Sequence, residues 1–138
     1  MLIDNHNVFE MAMDCSAAAG TDYASGCINT GAANDIGAGQ PTYCVINVTV
    51  DFASTDSATL QFQLLEDSDT GIDGSSIVLS QTELFAYATM TAGRDPIVIP
   101  VPSGVALQYL GLGVITGSHT TTAGTIDAYL VHDVQTNT

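Results

Sequence analysis

The sequence has 138 residues, enough for one domain with a core of its own. Hydrophobic residues make up 46% and charged residues only 12%, a balance that excludes a disordered chain. Fifteen Asp and Glu stand against one Arg, a formal net charge of -14; this excludes binding to a phosphate backbone, disfavours anionic membranes, and leaves neutral or basic surfaces, or divalent cations, as partners.

The opening Met1–Asn7 has no basic stretch leading into an apolar run. No segment approaches the ~20 apolar residues that a membrane helix needs. A soluble protein made without a signal peptide is expected. Leu2, Ile3, Val8 and Phe9 place apolar side chains ahead of the main pattern. If this segment left the domain, it would need a neighbour to cover it. Residues 1–9 are therefore expected to be an interaction arm or, equally, the first strand of their own sheet.

Phe9, Met11, Met13 and Cys15 alternate with Glu10, Ala12 and Asp14, the period of a half-buried strand. Residues 17–26 are small and polar and read as irregular. Gly31 to Pro41 reads as a long loop, a place to look for binding. From Tyr43 to Phe52 the alternation is clearest: Cys44, Ile46, Val48, Val50 and Phe52 share one face. Ala58, Leu60, Phe62 and Leu64 repeat it after a polar turn, which predicts an antiparallel hairpin with one face on the core.

Glu66 to Gly74 is an acidic turn. Asp67, Asp69 and Asp73 resemble part of a calcium loop, but the flanking helices and the closing Glu of that motif are missing. These three are weak calcium candidates, and a solvated Asp/Gly turn explains them as well. Ile77-Val78-Leu79 is a brief strand. Glu83 to Met90 fits either one or two helical turns or a strand. Arg94 lies in a turn, either paired locally with Asp95 or reaching a carboxylate on a neighbouring subunit. Ile97 to Val101, bounded by Pro96 and Pro102, reads as an edge strand. Leu107 to Thr116 is a long strand whose Gly111 and Gly113 mark a bend, a bulge or a close approach. Thr125 to Val134 is the last strand, with Ile126, Ala128 and Leu130 inward.

The count is about eight short strands and no repeat, which predicts an all-β fold: an antiparallel β sandwich, a jelly roll over residues 1–138 as one domain. No catalytic residues are expected. His6, His119 and His132 lack zinc spacing, and Ser118-His119 has no nucleophile elbow. No phosphate loop opens a helix. Paired carboxylates without Trp make a poor sugar-cleaving site. Cys15, Cys27 and Cys44 are expected as small buried hydrophobes in a reducing cytosol, with a Cys15–Cys27 bridge left open. Neither a cofactor nor a metal is required.

Several stretches carry a resemblance. Met1-Leu2-Ile3-Asp4 with Asn7-Val8-Phe9 looks like the start of the short capsid cement (decoration) proteins of tailed bacteriophages. Asp35-Ile36-Gly37-Ala38-Gly39-Gln40-Pro41 is similar to their D-I-G-x-G-x-P loop. Ala58-Thr59-Leu60-Gln61-Phe62 resembles their A-T-L-x-F strand. Pro100-Val101-Pro102-Ser103-Gly104-Val105, then Tyr109-Leu110, resembles their P-V-P-x-G and Y-L, and Thr122-Ala123-Gly124 also matches. The ordered set spans nearly the whole chain. Gln108, the missing lysines and the three cysteines depart from that pattern.

The resemblance implies a non-enzymatic jelly roll, made in the host cytoplasm, that joins the virion on the outer capsid surface. There it would bridge major capsid proteins and associate with itself as a dimer or trimer, without touching nucleic acid or membrane. The contact residues expected are Leu2, Ile3, Val8, Phe9, Asp35, Ile36 and Arg94. The competing expectation is a calcium-dependent or carbohydrate-binding β-sandwich module, with Asp67, Asp69 and Asp73 at its metal.

Overall fold

The computed structural model describes residues 5–31 and 41–132. Ten strand segments follow in chain order: β1 (Val8–Asp14), β2 (Gly20–Tyr23), β3 (Ile28–Asn29), β4 (Tyr43–Ser54), β5 (Thr59–Asp67), β6 (Ile77–Gln81), β7 (Phe85–Ala86), β8 (Ile97–Pro100), β9 (Tyr109–Gly117) and β10 (Thr121–Val131). Single 3-10 turns cover Asn5–Asn7 and Tyr87–Thr89. The second explains the mixed signal of residues 83–90, which hold a short strand and a turn in succession.

The strands form two antiparallel sheets. One has the order β1-β10-β4-β8, and the other β2-β9-β5-β6, with β3 also on β9 and β7 also on β5. β2 and β3 share one lane against β9, and β6 and β7 share one lane against β5. Two layers of four lanes result. Together they make the jelly roll expected from the strand count.

The core lies between the layers. Phe9, Met13, Cys44, Ile46, Ile126 and Ala128 reach it from one sheet, and Leu60, Phe62, Leu64, Leu110, Leu112 and Val114 from the other. Each Phe, Leu, Ile, Val or Met among them, fully buried, contributes about 1.5–3 kcal/mol by the transfer of apolar surface from water.

Four local expectations are corrected. β4 and β5 do not form a hairpin: β4 pairs with β10 and β8, and β5 with β9, β6 and β7. Their apolar faces meet the same core from opposite layers, and alternation alone does not say which. Met11 is 51% exposed, although it shares parity with the buried Phe9 and Met13. Ala12 beside it has φ 54, and the register to β10 slips between Glu10 and Met13; the bulge turns Met11 outward. Val50 is likewise 49% exposed, where the β4–β10 register slips between Thr125 and Ile126. The small polar stretch at 17–26 holds β2, held by main-chain pairing to β9 despite lacking apolar alternation.

At Gly111 and Gly113 the β5–β9 register runs on without a shift. A bulge is therefore ruled out there. A Cβ on Gly111 would lie 2.6 Å from Ile72 Cγ1 and Cγ2, so glycine serves the close approach of the acidic turn to the sheet.

Candidate functional site

β6 and β8 are edge strands of opposite sheets on the same side of the sandwich. Between β8 and the β6–β7 connection lies a cleft of about 450 Å³, lined among others by Ser80, Thr82, Phe85, Arg94, Pro96 and Val98. Local chemistry fixes Arg94 there. Gly93 has φ 87, which turns the chain before it, and Pro96 precedes β8. The turn is tied to β4 by two bonds: Phe52 N donates to Met90 O at 2.9 Å, and Ala92 N donates to Asp51 Oδ1 at 2.6 Å.

The guanidinium lies 5.1 Å from the centroid of the Phe85 ring. Nη1 donates to Thr89 O at 3.0 Å and lies 3.1 Å from Met90 Sδ. Nε reaches the backbone carbonyl of Asp95 at 3.4 Å. The expected local pair with the Asp95 carboxylate is therefore replaced by a bond to its main chain. Among the described residues, no carboxylate makes an ion pair with Arg94.

The acidic turn stands at the other end of β6. Its carboxylates hold the turn's own backbone. Asp67 Oδ1 accepts from Ser68 N (2.6 Å) and Asp69 N (3.3 Å), and its Oδ2 from Ser76 Oγ (2.6 Å). Asp69 Oδ1 accepts from Gly71 N at 2.7 Å. Asp73 Oδ1 accepts from Ser75 N (2.7 Å) and Ser75 Oγ (2.6 Å). The Ser76 hydroxyl holds the Asp67 carboxyl below its ordinary value, and the Ser75 hydroxyl does the same for Asp73. Among the described residues, no three His, Cys, Asp or Glu side chains converge as metal ligands would, so Asp67, Asp69 and Asp73 build a turn without converging.

Glu66, first in that acidic run, belongs elsewhere. It is 4% exposed, and its Oε2 accepts from Ala106 N at 2.8 Å and Leu107 N at 3.1 Å. It latches the β8–β9 connection to the sheet. The sequence held the signal: Glu66 continues the inward parity of Leu60, Phe62 and Leu64.

The remaining candidates are dispersed. Phe9 is 2% exposed in the core of its own sandwich, and Val8 lies half-buried in β1 opposite Tyr129 of β10. For these two, the first-strand alternative describes the position. Leu2, Ile3, Asp35 and Ile36 lie outside the described residues. His119 Nε2 lies 3.2 Å from Asp56 Oδ2, both side chains being largely exposed. The Ser57 backbone N–H, and then the His119 charge, hold the Asp56 carboxyl low. His132 Nδ1 lies 3.3 Å from Thr42 Oγ1. Cys15, Cys27 and Cys44 are free thiols, and burial pushes Cys15 and Cys44 up to about 12. A thiol so far from its thiolate is a poor nucleophile.

The exterior carries six large exposed apolar side chains among the described residues: Met11, Val50, Ile77, Val78, Leu84 and Val98. Three fall between residues 77 and 84, along the edge that joins the acidic turn to the Arg94 cleft. Sequence reasoning found that segment as a strand and missed it as a surface, because its partner lane is open on one side.

Residues 12–130 match a family model described as Bbp16. No curated protein matches the chain.

Proposed function

The chain belongs to the Bbp16 family, and we propose that it is a structural virion protein, one that binds the outer surface of a tailed-phage capsid, bridges neighbouring major capsid proteins and catalyses no reaction. The observation that carries this reading is the exterior. Ile77, Val78 and Leu84 gather exposed apolar surface on one edge of an otherwise acidic exterior, and such a polar-rimmed apolar patch supports contact with other protein surfaces. The ordered motifs at Ala58–Phe62, Pro100–Val105 and Tyr109-Leu110 support it from the sequence. In the fold they supply the start of β5, the connection latched by Glu66, and the start of β9.

The role follows from mass action. A protein that binds the assembled shell better than free capsid subunits shifts the balance toward the intact shell. Interfaces of more than ~1,000 Å² are expected at each contact. Repetition over the shell then adds avidity. In this reading Leu2, Ile3, Asp35 and Ile36 supply shell contacts. A net charge of -14 does no harm on an outer layer that never meets packaged DNA. The test is co-sedimentation of the purified protein with phage heads that lack it. Saturable binding at a fixed ratio to the major capsid protein is expected, and protein left wholly in the supernatant overturns the reading.

A further inference from the structure

We infer that residues 67–76 form a lid: a prefolded turn that swings as one body and, when shut, seats Ile72 in an apolar socket on the outer face of the β2-β9-β5-β6 sheet.

The socket lies outside the core. Leu65 follows the inward-facing Leu64 and so points away from the sandwich interior. It is nevertheless only 2% exposed, and it stands apart from the core cluster. Across the ladder it pairs with Gly111. The floor there is bare backbone, and a Cβ on Gly111 would lie 2.6 Å from Ile72 Cγ1 and Cγ2. A Cβ on Gly113 would lie 3.1 Å from Leu65 Cδ1 and 3.5 Å from the Tyr23 ring, so Tyr23 of β2 forms the facing wall. Leu65, Tyr23 and the two glycines thus make a socket for one aliphatic side chain, and Ile72 fills it.

The turn carries its own framework. Its neck is closed by the Ser76 hydroxyl, which donates to Asp67 Oδ2 at 2.6 Å, and by Ser76 N, which donates to Asp73 O at 3.1 Å. Asp73 N donates in turn to Ser76 Oγ at 3.0 Å. Among the described residues, every hydrogen bond of residues 68–75 ends within 67–76, and none reaches the rest of the sheet. Of residues 68–75, Ile72 alone is not exposed. One apolar side chain therefore holds the turn down, while the bonds that shape the turn travel with it. A segment with so few buried contacts opens locally at far less cost than global unfolding. Lifting it uncovers Leu65 and the glycine strip, an apolar patch on an otherwise acidic exterior. Shut, the turn shows solvent only its polar residues and glycines.

Hydroxyl-radical footprinting of the full chain, with amide hydrogen exchange on the same variants, tests this. Ile72→Ala should raise the open population, read as oxidation of Leu65, by about tenfold or more. Ile72→Val still fills most of the socket and should raise it by about fourfold or less. Gly111→Ala should expel Ile72 and match Ile72→Ala. Added to Ile72→Ala, it should change oxidation by less than about twofold, because its clash has gone. In every variant the amides of Ser68, Asp69, Gly71 and Ser75 should keep wild-type protection, since their acceptors move with the lid. Far-UV circular dichroism identical to wild type confirms that the sandwich is folded. Leu65 oxidation unmoved by Ile72→Ala overturns the inference. So do effects of Ile72→Ala and Gly111→Ala that multiply, or protection of the turn's amides lost together with docking.

Discussion

Replacing Glu66 tests a buried charged contact between a strand and a connection of the sandwich. Its carboxylate is buried and accepts two backbone N–H groups, from Ala106 and Leu107. Hydrogen bonds to a charged acceptor contribute about 1.5–3 kcal/mol each, against about 0.5–1.5 for neutral ones, and two on one carboxylate do not add fully. Glu66→Ala removes both, leaves part-buried donors without an acceptor and opens space beneath the connection. A loss of roughly 3–4 kcal/mol is expected. Glu66→Gln keeps an oxygen that can accept both N–H groups, loses the charge and brings an amide that needs a partner; about 1 kcal/mol is expected. For a chain of this length, 1 kcal/mol corresponds to about 3–5 °C in Tm. Urea unfolding supplies both free energies, and amide hydrogen exchange at Ala106 and Leu107 reports the latch directly. Exchange should quicken at both amides in Glu66→Ala and only modestly in Glu66→Gln. A loss below ~0.5 kcal/mol for Glu66→Ala, or unchanged protection at both amides, refutes the latch.

Two further outcomes follow from the polar and sulfur groups. In native protein, a thiol reagent should modify Cys27 first; Cys15 and Cys44, pushed up to about 12 by burial, should react only on unfolding, as mass spectrometry of the labelled chain will read. The lowered carboxyl of Asp67 contributes stability that is complete above its ordinary pKa of 3.8 and is lost as pH falls through the lower folded value. Ser76→Ala removes the largest cause, so an NMR titration should move Asp67 up toward 3.8, and the acid unfolding profile should lose part of its slope below that pH.

Alternation made much of this fold legible. Cys44, Ile46 and Val48, then Leu60, Phe62 and Leu64, then Ile126, Ala128 and Leu130 all point into the core as their spacing requires. What alternation cannot carry is partnership. β4 and β5 are consecutive, have matching apolar faces and lie in different sheets, because an inward face looks the same from either layer. Nor does spacing report a slip: the turn of backbone at Ala12 sends Met11 outward against its parity. β2 was hidden because Gly20-Thr21-Asp22 has no apolar face to show. The candidate surface was half visible. Arg94 stood out as the one strong cation, but the cleft around it joins two sheet edges that only the fold brings together. Glu66 stands beside Asp67 and Asp69 in the sequence, yet its parity places it with Leu64.

Electron cryomicroscopy of phage heads prepared with and without this protein tests the central claim most directly. The account predicts added density on the outer face of the shell, shaped as two stacked four-lane sheets and touching more than one copy of the major capsid protein. Identical maps, or density confined to the inside of the head, would contradict it.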